Sequence, residues 1–253
     1  MALFSFLFGL LFGSFLNVLI YRLPLGKSFV APRSRCVHCD CLIPFYNNIP
    51  VISYIFLKGK CANCKEKISV IYPFVEISTA FITLFLFIKL NLSLDFFVAT
   101  IFFYLLIVLS FIDFKYKAVP DYLLLFVFIL SFFVTQENFI DALKNASIIS
   151  GGFVLLNFLL TFYIQNIKSK LLKDDSLKEQ EALGEGDIPV LATFGVILGL
   201  KGAFVAVFLS SLFAIIPAIY FHFMKKDIQT PFIPYLSMGF AFEYFLNLSK
   251  VFS

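Results

Sequence analysis

GEGDIPVLATFGVILGL, residues 184–200, passes from a charged loop into an unbroken apolar run within four residues. The reading of that run decides the fold. Runs of the same character recur near 2–21, 72–90, 95–112, 121–135, 146–164, 187–200, 202–222 and 231–249. A helix that crosses a bilayer needs about 20 mostly apolar residues. The chain is 60% hydrophobic with a mean hydropathy of +0.94, and 14% of its residues are charged, against roughly 25% in an ordinary soluble domain. The pattern predicts an all-α integral membrane protein of about eight transmembrane helices. The run at 121–135 is short, and only Lys201 and Gly202 divide the sixth run from the seventh. The first run has no basic residue before it and no small-residue cleavage site after it, so it is read as a retained helix.

Lys and Arg are retained on the cytoplasmic side of bacterial membranes. Segments 22–71, 113–120, 165–186 and 223–230 carry 16 of the 20 basic residues, and the intervening segments carry Lys89, Lys144, Lys201 and Lys250. This asymmetry predicts both termini outside the cytoplasm and explains the net charge of +4 without a nucleic-acid partner. The mixed-charge run KSKLLKDDSLKEQEALGEGD (168–187) reads as a flexible cytoplasmic loop.

All five cysteines fall in the first cytoplasmic segment, as CVHCDC (36–41) and CANC (61–64). Two C-x2-C pairs separated by 21 residues are the spacing of a four-thiolate zinc site, each tight turn presenting two sulfurs to a tetrahedral ion. Cys36, Cys39, Cys61 and Cys64 are the candidate metal ligands. Cys41 is left over, and His38 is a substitute ligand or a solvated residue of the knuckle. A pair of disulfides or merely reduced thiols is the alternative, and on the predicted topology these residues face the reducing cytoplasm, where structural disulfides are rare. Four thiolates leave no open coordination position, so the metal is read as structural, a staple for a segment too small to hold itself by burial.

Acids beside the spans are the next signal, because ionisable residues in a membrane are expensive and functional candidates by default. They are Glu76, Asp113, Asp121, Asp187 and Glu243. Asp113 ends the third run and Asp187 begins the sixth, at one membrane boundary, and a bundle could bring them together. Two carboxylates sharing a proton can activate water against an amide, one as base and one as acid. The bland alternative makes Asp187 a helix N-cap and Asp113 a solvated interfacial acid. Gly184 and Gly186 would let the backbone turn and leave room for a substrate chain. Gly9 and Gly13 form a GxxxG, a close-packing pattern that arises easily in apolar helices.

Taken in order, GSFLNVLIYRLP (13–24), the double C-x2-C with NNIPVISYIFLKGKC between, YPFVEISTA (72–80), SFIDFKYKAVPD (110–121), GEGD (184–187) and TPFIPYLSMG (230–239) resemble segments of the prepilin peptidase family. These enzymes are bifunctional type IV leader peptidases and N-methyltransferases, GxGD-type aspartic membrane proteases. The resemblance implies Asp113 and Asp187 as the catalytic pair. Glu76 would orient the zinc loop or contribute to methyl transfer, and Asp121 would cap its helix. Pro189 stands where the family usually has Lys, and Ile233 where it usually has Gly.

The plan implied is a first transmembrane helix over 1–22, a cytoplasmic zinc-binding, methyltransferase-associated segment over 23–71, and a membrane-embedded aspartic peptidase domain over 72–253. By resemblance, the protein cuts the leader from type IV prepilins or pilin-like type II secretion precursors at the cytoplasmic face of the bacterial inner membrane. It then methylates the new N-terminus with S-adenosylmethionine, whose site the resemblance puts in the 13–76 region without naming residues. Its partners are those precursors and membrane lipids. A presenilin-like intramembrane protease shares the GxGD motif, but the zinc knuckle and the boundary depth of both acids count against it. A transporter would need acids near mid-membrane, for which Glu243 is the one candidate. A zinc-binding scaffold without catalysis is the third alternative.

Overall fold

The computed structural model describes residues 1–31, 33–172, 175–179, 182–223 and 231–251. They are almost entirely helical. The only β pairing among them is two isolated antiparallel bridges, Arg35 with Leu42 and Lys60 with Lys67. The chain forms two compact units, Met1–Tyr116 and Lys117–Ser253.

In the first unit α1 (Ala2–Arg22) leads into the cysteine-bearing insertion, which holds one short helix, α2 (Ile52–Phe56). Then follow α3 (Ile71–Leu90) and α4 (Leu94–Tyr116). The GxxxG of α1 is its seam against α3. A methyl group at Gly9 would sit 2.6 Å from the Cα of Ala80, and one at Gly13 would sit 2.6 Å from the Cα of Glu76. Small residues are used this way between membrane helices because lipid is as apolar as Leu, so close backbone approach has to drive association. The neighbouring polar groups on α3 are satisfied internally. The Thr79 hydroxyl donates to Val75 O at 2.6 Å, and the Thr83 hydroxyl lies 2.7 Å from the Tyr104 hydroxyl of α4.

The second unit contains α5 (Asp121–Val134), α6 (Phe139–Phe162), a π-helical turn (Tyr163–Lys168), α7 (Ser169–Leu172), α8 (Asp187–Phe223) and α9 (Ile233–Leu246). Helix α6 begins seven residues before the predicted 146, because its polar first turns are amphipathic. Ala142 and Ala146 are buried in a cluster with Ala192 and Val196 of α8, while Asp141 and Lys144 stay exposed.

The predicted break at Lys201–Gly202 is displaced. Runs six and seven form the single long α8, interrupted at Gly199, whose φ of 68° and ψ of −179° are not helical. Only glycine adopts that backbone readily. A side chain there would also meet Glu137 Oε1 at 2.7 Å, and Glu137 Oε2 accepts the Asn145 amide at 2.7 Å.

Among the described residues, five helices, α1, α3, α4, α6 and α8, are long and apolar enough to cross a membrane. Helices α5 and α9 have 14 residues each, about 21 Å of rise against a hydrocarbon core of about 30 Å. The eight predicted apolar runs fall on these seven helices, with the sixth and seventh runs both on α8. Parts of the predicted loops 168–187 and 223–230, with Lys173, Lys225 and Lys226, and Thr230 of the last motif, lie outside the described residues.

Glu243 has a structural role. It is 2% exposed, and its carboxylate accepts the Ser249 N–H, at 3.1 and 3.3 Å from its two oxygens. This closes the turn after α9, so the one candidate for a transporter's mid-membrane acid is engaged in capping a helix end.

Candidate functional site

The two C-x2-C pairs fold into the same knuckle twice. In the first, the Cys36 N–H donates to Cys41 O and the Asp40 N–H to Cys36 O, both at 3.0 Å. In the second, the Cys61 N–H donates to Glu66 O at 2.8 Å and the Lys65 N–H to Cys61 O at 3.1 Å. Asp40 and Lys65 each follow the second cysteine and take positive φ, 52° and 61°. Each knuckle is closed by one of the two antiparallel bridges.

The ligand atoms of Cys36, Cys39, Cys61 and Cys64 all lie within 4.8 Å of one another, and the Cys36 and Cys64 sulfurs are 3.9 Å apart. A tetrahedral ion with bonds of about 2.3 Å to sulfur has edges of about 3.8 Å, so the four sulfurs fit one ion. Cys41 lies outside this set. It is exposed, and its sulfur accepts the Asn63 amide at 3.0 Å.

Proximity splits the thiols' acidity. Cys39 is lowered to about 6, first by the Cys41 N–H, and Cys61 is lowered, first by the Cys64 N–H. Cys64 is pushed up to about 12: the Glu66 N–H pulls the other way, but desolvation and its thiol neighbours prevail.

Next to the knuckles, the first unit encloses a cavity of about 1110 Å³ lined by the insertion and by residues of α1, α3 and α4. Where the cavity meets α1 and α3 the predicted motifs come together. The Asn17 amide of α1 donates to Tyr72 O of α3 at 3.1 Å. Glu76 is 7% exposed, and its Oε2 accepts the Val51 N–H of the insertion at 2.7 Å.

Val51 sits at φ 59° and ψ −48°, and the Ile52 N–H donates to Pro50 O at 2.5 Å. This is a γ-turn that a β-branched residue adopts only at a cost of about 1–3 kcal/mol. The Glu76 carboxylate thus holds that turn of the insertion by its Val51 N–H. Toward the Arg22 end of α1, the ammonium groups of Lys27 and Lys115 lie 5.9 and 4.9 Å from the centroid of the Tyr21 ring.

In the second unit Asp187 is the first residue of α8 and is 6% exposed. Its Oδ2 accepts the Gly184 N–H at 3.2 Å, while its own N–H donates to Gly184 O at 3.1 Å. The side chain thus reaches back to the loop, where an N-cap would reach forward to free helix N–H groups. The loop is anchored in turn on α6, where Asn157 Oδ1 accepts the Leu183 N–H at 3.0 Å and Thr161 Oγ1 the Ala182 N–H at 3.2 Å.

Neither Gly184 nor Gly186 has positive φ, and a methyl group at either would make only ordinary van der Waals contacts. A methyl group at 184 would sit 3.4 Å from Asp187 Oδ2, and one at 186 would touch Leu124 and Ile233 at 3.6 and 3.7 Å. Ile233, 2% exposed, therefore packs against the GEGD loop itself. Pro189 lines a cavity of about 420 Å³ with Asp121, Leu124, Phe128, Ser150 and Glu185. Asp121 is not an N-cap: Pro120 holds that position, and Asp121 is the exposed first residue of α5. Asp113 lies in the last turn of α4, in the first unit, and is 9% exposed.

The model of the Bacterial Peptidase A24 N-terminal domain matches residues 7–90, and that of the Type IV leader peptidase family matches residues 100–219. A Vibrio cholerae prepilin leader peptidase/N-methyltransferase is 33% identical over 238 residues, covering 91% of this chain and 88% of the relative. The chain belongs to the type IV leader peptidase family. A Bacillus subtilis relative of the same name is 30% identical, covering 94% and 92%, and one from Myxococcus xanthus is 34% identical, covering 78% and 56%. No solved structure matches the chain.

Within this leader peptidase the residues that sequence reasoning passed over are Asn17 and Val51. Asn17 carried a signal, as an amide inside an otherwise apolar run. Val51 carried none, since its strain exists only once Glu76 binds its N–H.

Proposed function

We propose that the protein cleaves the leader from type IV prepilins or pilin-like secretion precursors at the cytoplasmic membrane face, then N-methylates the new N-terminus. Asp113 and Asp187 are the carboxylates we assign to cleavage, one taking a proton from water and the other giving one to the scissile amide. The observation that carries the reading is Asp187. A carboxylate this buried, held by the N–H of Gly184 at the first turn of an apolar helix, lies inside a segment that the leader peptidase family model covers.

The metal we assign to the four cysteines is zinc. It would hold the two knuckles together and supply no open position for chemistry. The methyl donor we assign is S-adenosylmethionine, and the first unit supports it with a cavity large enough and lined by both polar and charged groups. The bias of Lys and Arg supports eight crossings, with α8 counted as two about Gly199 and with α5 and α9 each crossing once. Both termini then lie outside the cytoplasm, in a bacterial inner membrane.

Incubation of the purified protein with a prepilin and labelled donor, followed by mass, tests the reading. The leader should leave first, and the mature chain should then gain one methyl group. Release of neither product would overturn it.

A further inference from the structure

The cavity of about 1110 Å³ in the first unit exceeds the roughly 300–1,000 Å³ that suits one small ligand, which leaves room for a donor and the end of a chain together. Its lining is unevenly charged. Arg22, Lys27, Arg35, Lys67 and Lys115 are cationic, and the carboxylates are Asp40, Glu66 and Glu76. Asp40 is paired with Arg35 at 3.0 Å and lies open to solvent, and Glu66 is exposed on the second knuckle. Glu76 alone of the three is buried, and no cation of the described residues forms a salt bridge with it.

Glu76 accepts the Val51 N–H on Oε2 and a hydrogen bond from the Ser14 hydroxyl, but it has no cationic partner among the described residues, and burying a charge is costly unless it is paired as well as hydrogen-bonded. Clamping Val51 does not require a charge, since a neutral amide oxygen would accept the same N–H. An ionised Glu76 would be matched by a cation that arrives with a ligand.

Two ligands of the methylation reaction carry a primary ammonium, the donor and the freshly cut chain. Glu76 lies in the second turn of α3, one turn from the Asn17–Tyr72 contact, where the cavity meets α1 and α3. With α1 and α3 taken as membrane spans, the end of a membrane-held chain would emerge near this level. We propose that Glu76 receives the new N-terminal ammonium of the cleaved substrate and takes its proton, an assignment that rests on the reading of the protein as a leader peptidase and N-methyltransferase.

Such a group has a pKa of about 7.7–8.0 and is roughly nine-tenths protonated at pH 7, so it has no lone pair to offer until a base removes the proton. The proton passes from nitrogen to the Glu76 carboxylate. The nitrogen lone pair then forms the N–CH3 bond as the sulfonium donor's C–S bond breaks, leaving the electron pair on sulfur. The proton departs from Glu76 to water in the cavity.

The test uses the full-length zinc-loaded protein in detergent, with Leu-Ile-Val-Leu-amide and its N-acetyl counterpart as probes and S-adenosylhomocysteine as the donor-side probe, all read by calorimetry. Wild type should prefer the free amine at least tenfold. Glu76→Gln should bind both peptides within about twofold of one another, yet bind S-adenosylhomocysteine within about twofold of wild type, with its zinc content unchanged because Gln still accepts the Val51 N–H. Glu76→Asp, which keeps the charge, should recover part of the preference even if the Gln variant loses zinc.

Preference for the free amine that survives in the Gln variant overturns the proposal. So does a tenfold loss confined to S-adenosylhomocysteine, which would give the carboxylate to the donor's own amino group. A wild-type protein that neither cuts a prepilin nor methylates it would instead remove the reading on which the proposal rests.

Discussion

Gly13→Ala is the sharpest perturbation of the site that leaves every polar group in place. The added methyl would lie 2.6 Å from the Cα of Glu76, where ordinary contact begins at 3.4 Å. The obstacle is backbone, so no side chain can swing aside, and α1 must withdraw from α3 by about 0.8 Å, the difference between those distances. That withdrawal stretches the 3.1 Å bond from Asn17 to Tyr72 O, one turn away, beyond hydrogen-bonding range. Overpacking of this kind costs about 1–3 kcal/mol, and the gain from replacing a helical glycine by alanine, roughly 0.5–1 kcal/mol, offsets only part of it.

A control is built into the fold. Gly151 is also helical, but nothing lies within 4 Å of the position its Cβ would take, so Gly151→Ala should be neutral or stabilising. Reversible unfolding by SDS in mixed micelles should rank the two variants apart by about 1–3 kcal/mol, with methylation by Gly13→Ala falling more than its cleavage of a prepilin. If Gly13→Ala proves as stable as Gly151→Ala, then α1 and α3 do not meet along this seam and the reasoning fails.

Elemental analysis should find about one zinc per chain, with most of it absent from a Cys36→Ser, Cys61→Ser double variant; metal-free wild type with fully titratable thiols would refute the site. Protons compete with metal for thiolates, so zinc should be retained at neutral pH and released on acidification, as a chromogenic chelator would report; release on raising the pH instead would have the wrong sign. Asp113→Asn and Asp187→Asn should each abolish leader cleavage while methylation of a synthetic mature peptide stays measurable, and loss of both activities in a folded variant would point to one shared site.

The sequence by itself determined what depends on local pattern. Apolar runs of about 20 residues can satisfy their backbone in lipid only as helices, and the paired C-x2-C spacing draws four sulfurs together because each tight turn can present only two. The acids at 113 and 187 stood out for a related reason, since a carboxylate next to such a run is expensive wherever the fold later puts it.

Tertiary structure decided what depends on partners far apart in the chain. Gly9 and Gly13 were indistinguishable from chance until α3 lay against them. Asn17 and Tyr72 are 55 residues apart, and Val51 and Glu76 are 25 apart, so neither hydrogen bond leaves a periodic trace in the sequence. Helix α6 runs seven residues further back than its apolar run because Ala142 and Ala146 find α8, a contact that outweighs the polarity of their neighbours. Glu243 looked like an ion ligand in an apolar stretch, and only the fold supplied the Ser249 N–H that accounts for it. In each case the deciding energy is a close backbone approach or a single hydrogen bond in a low-dielectric interior, which composition and spacing do not encode.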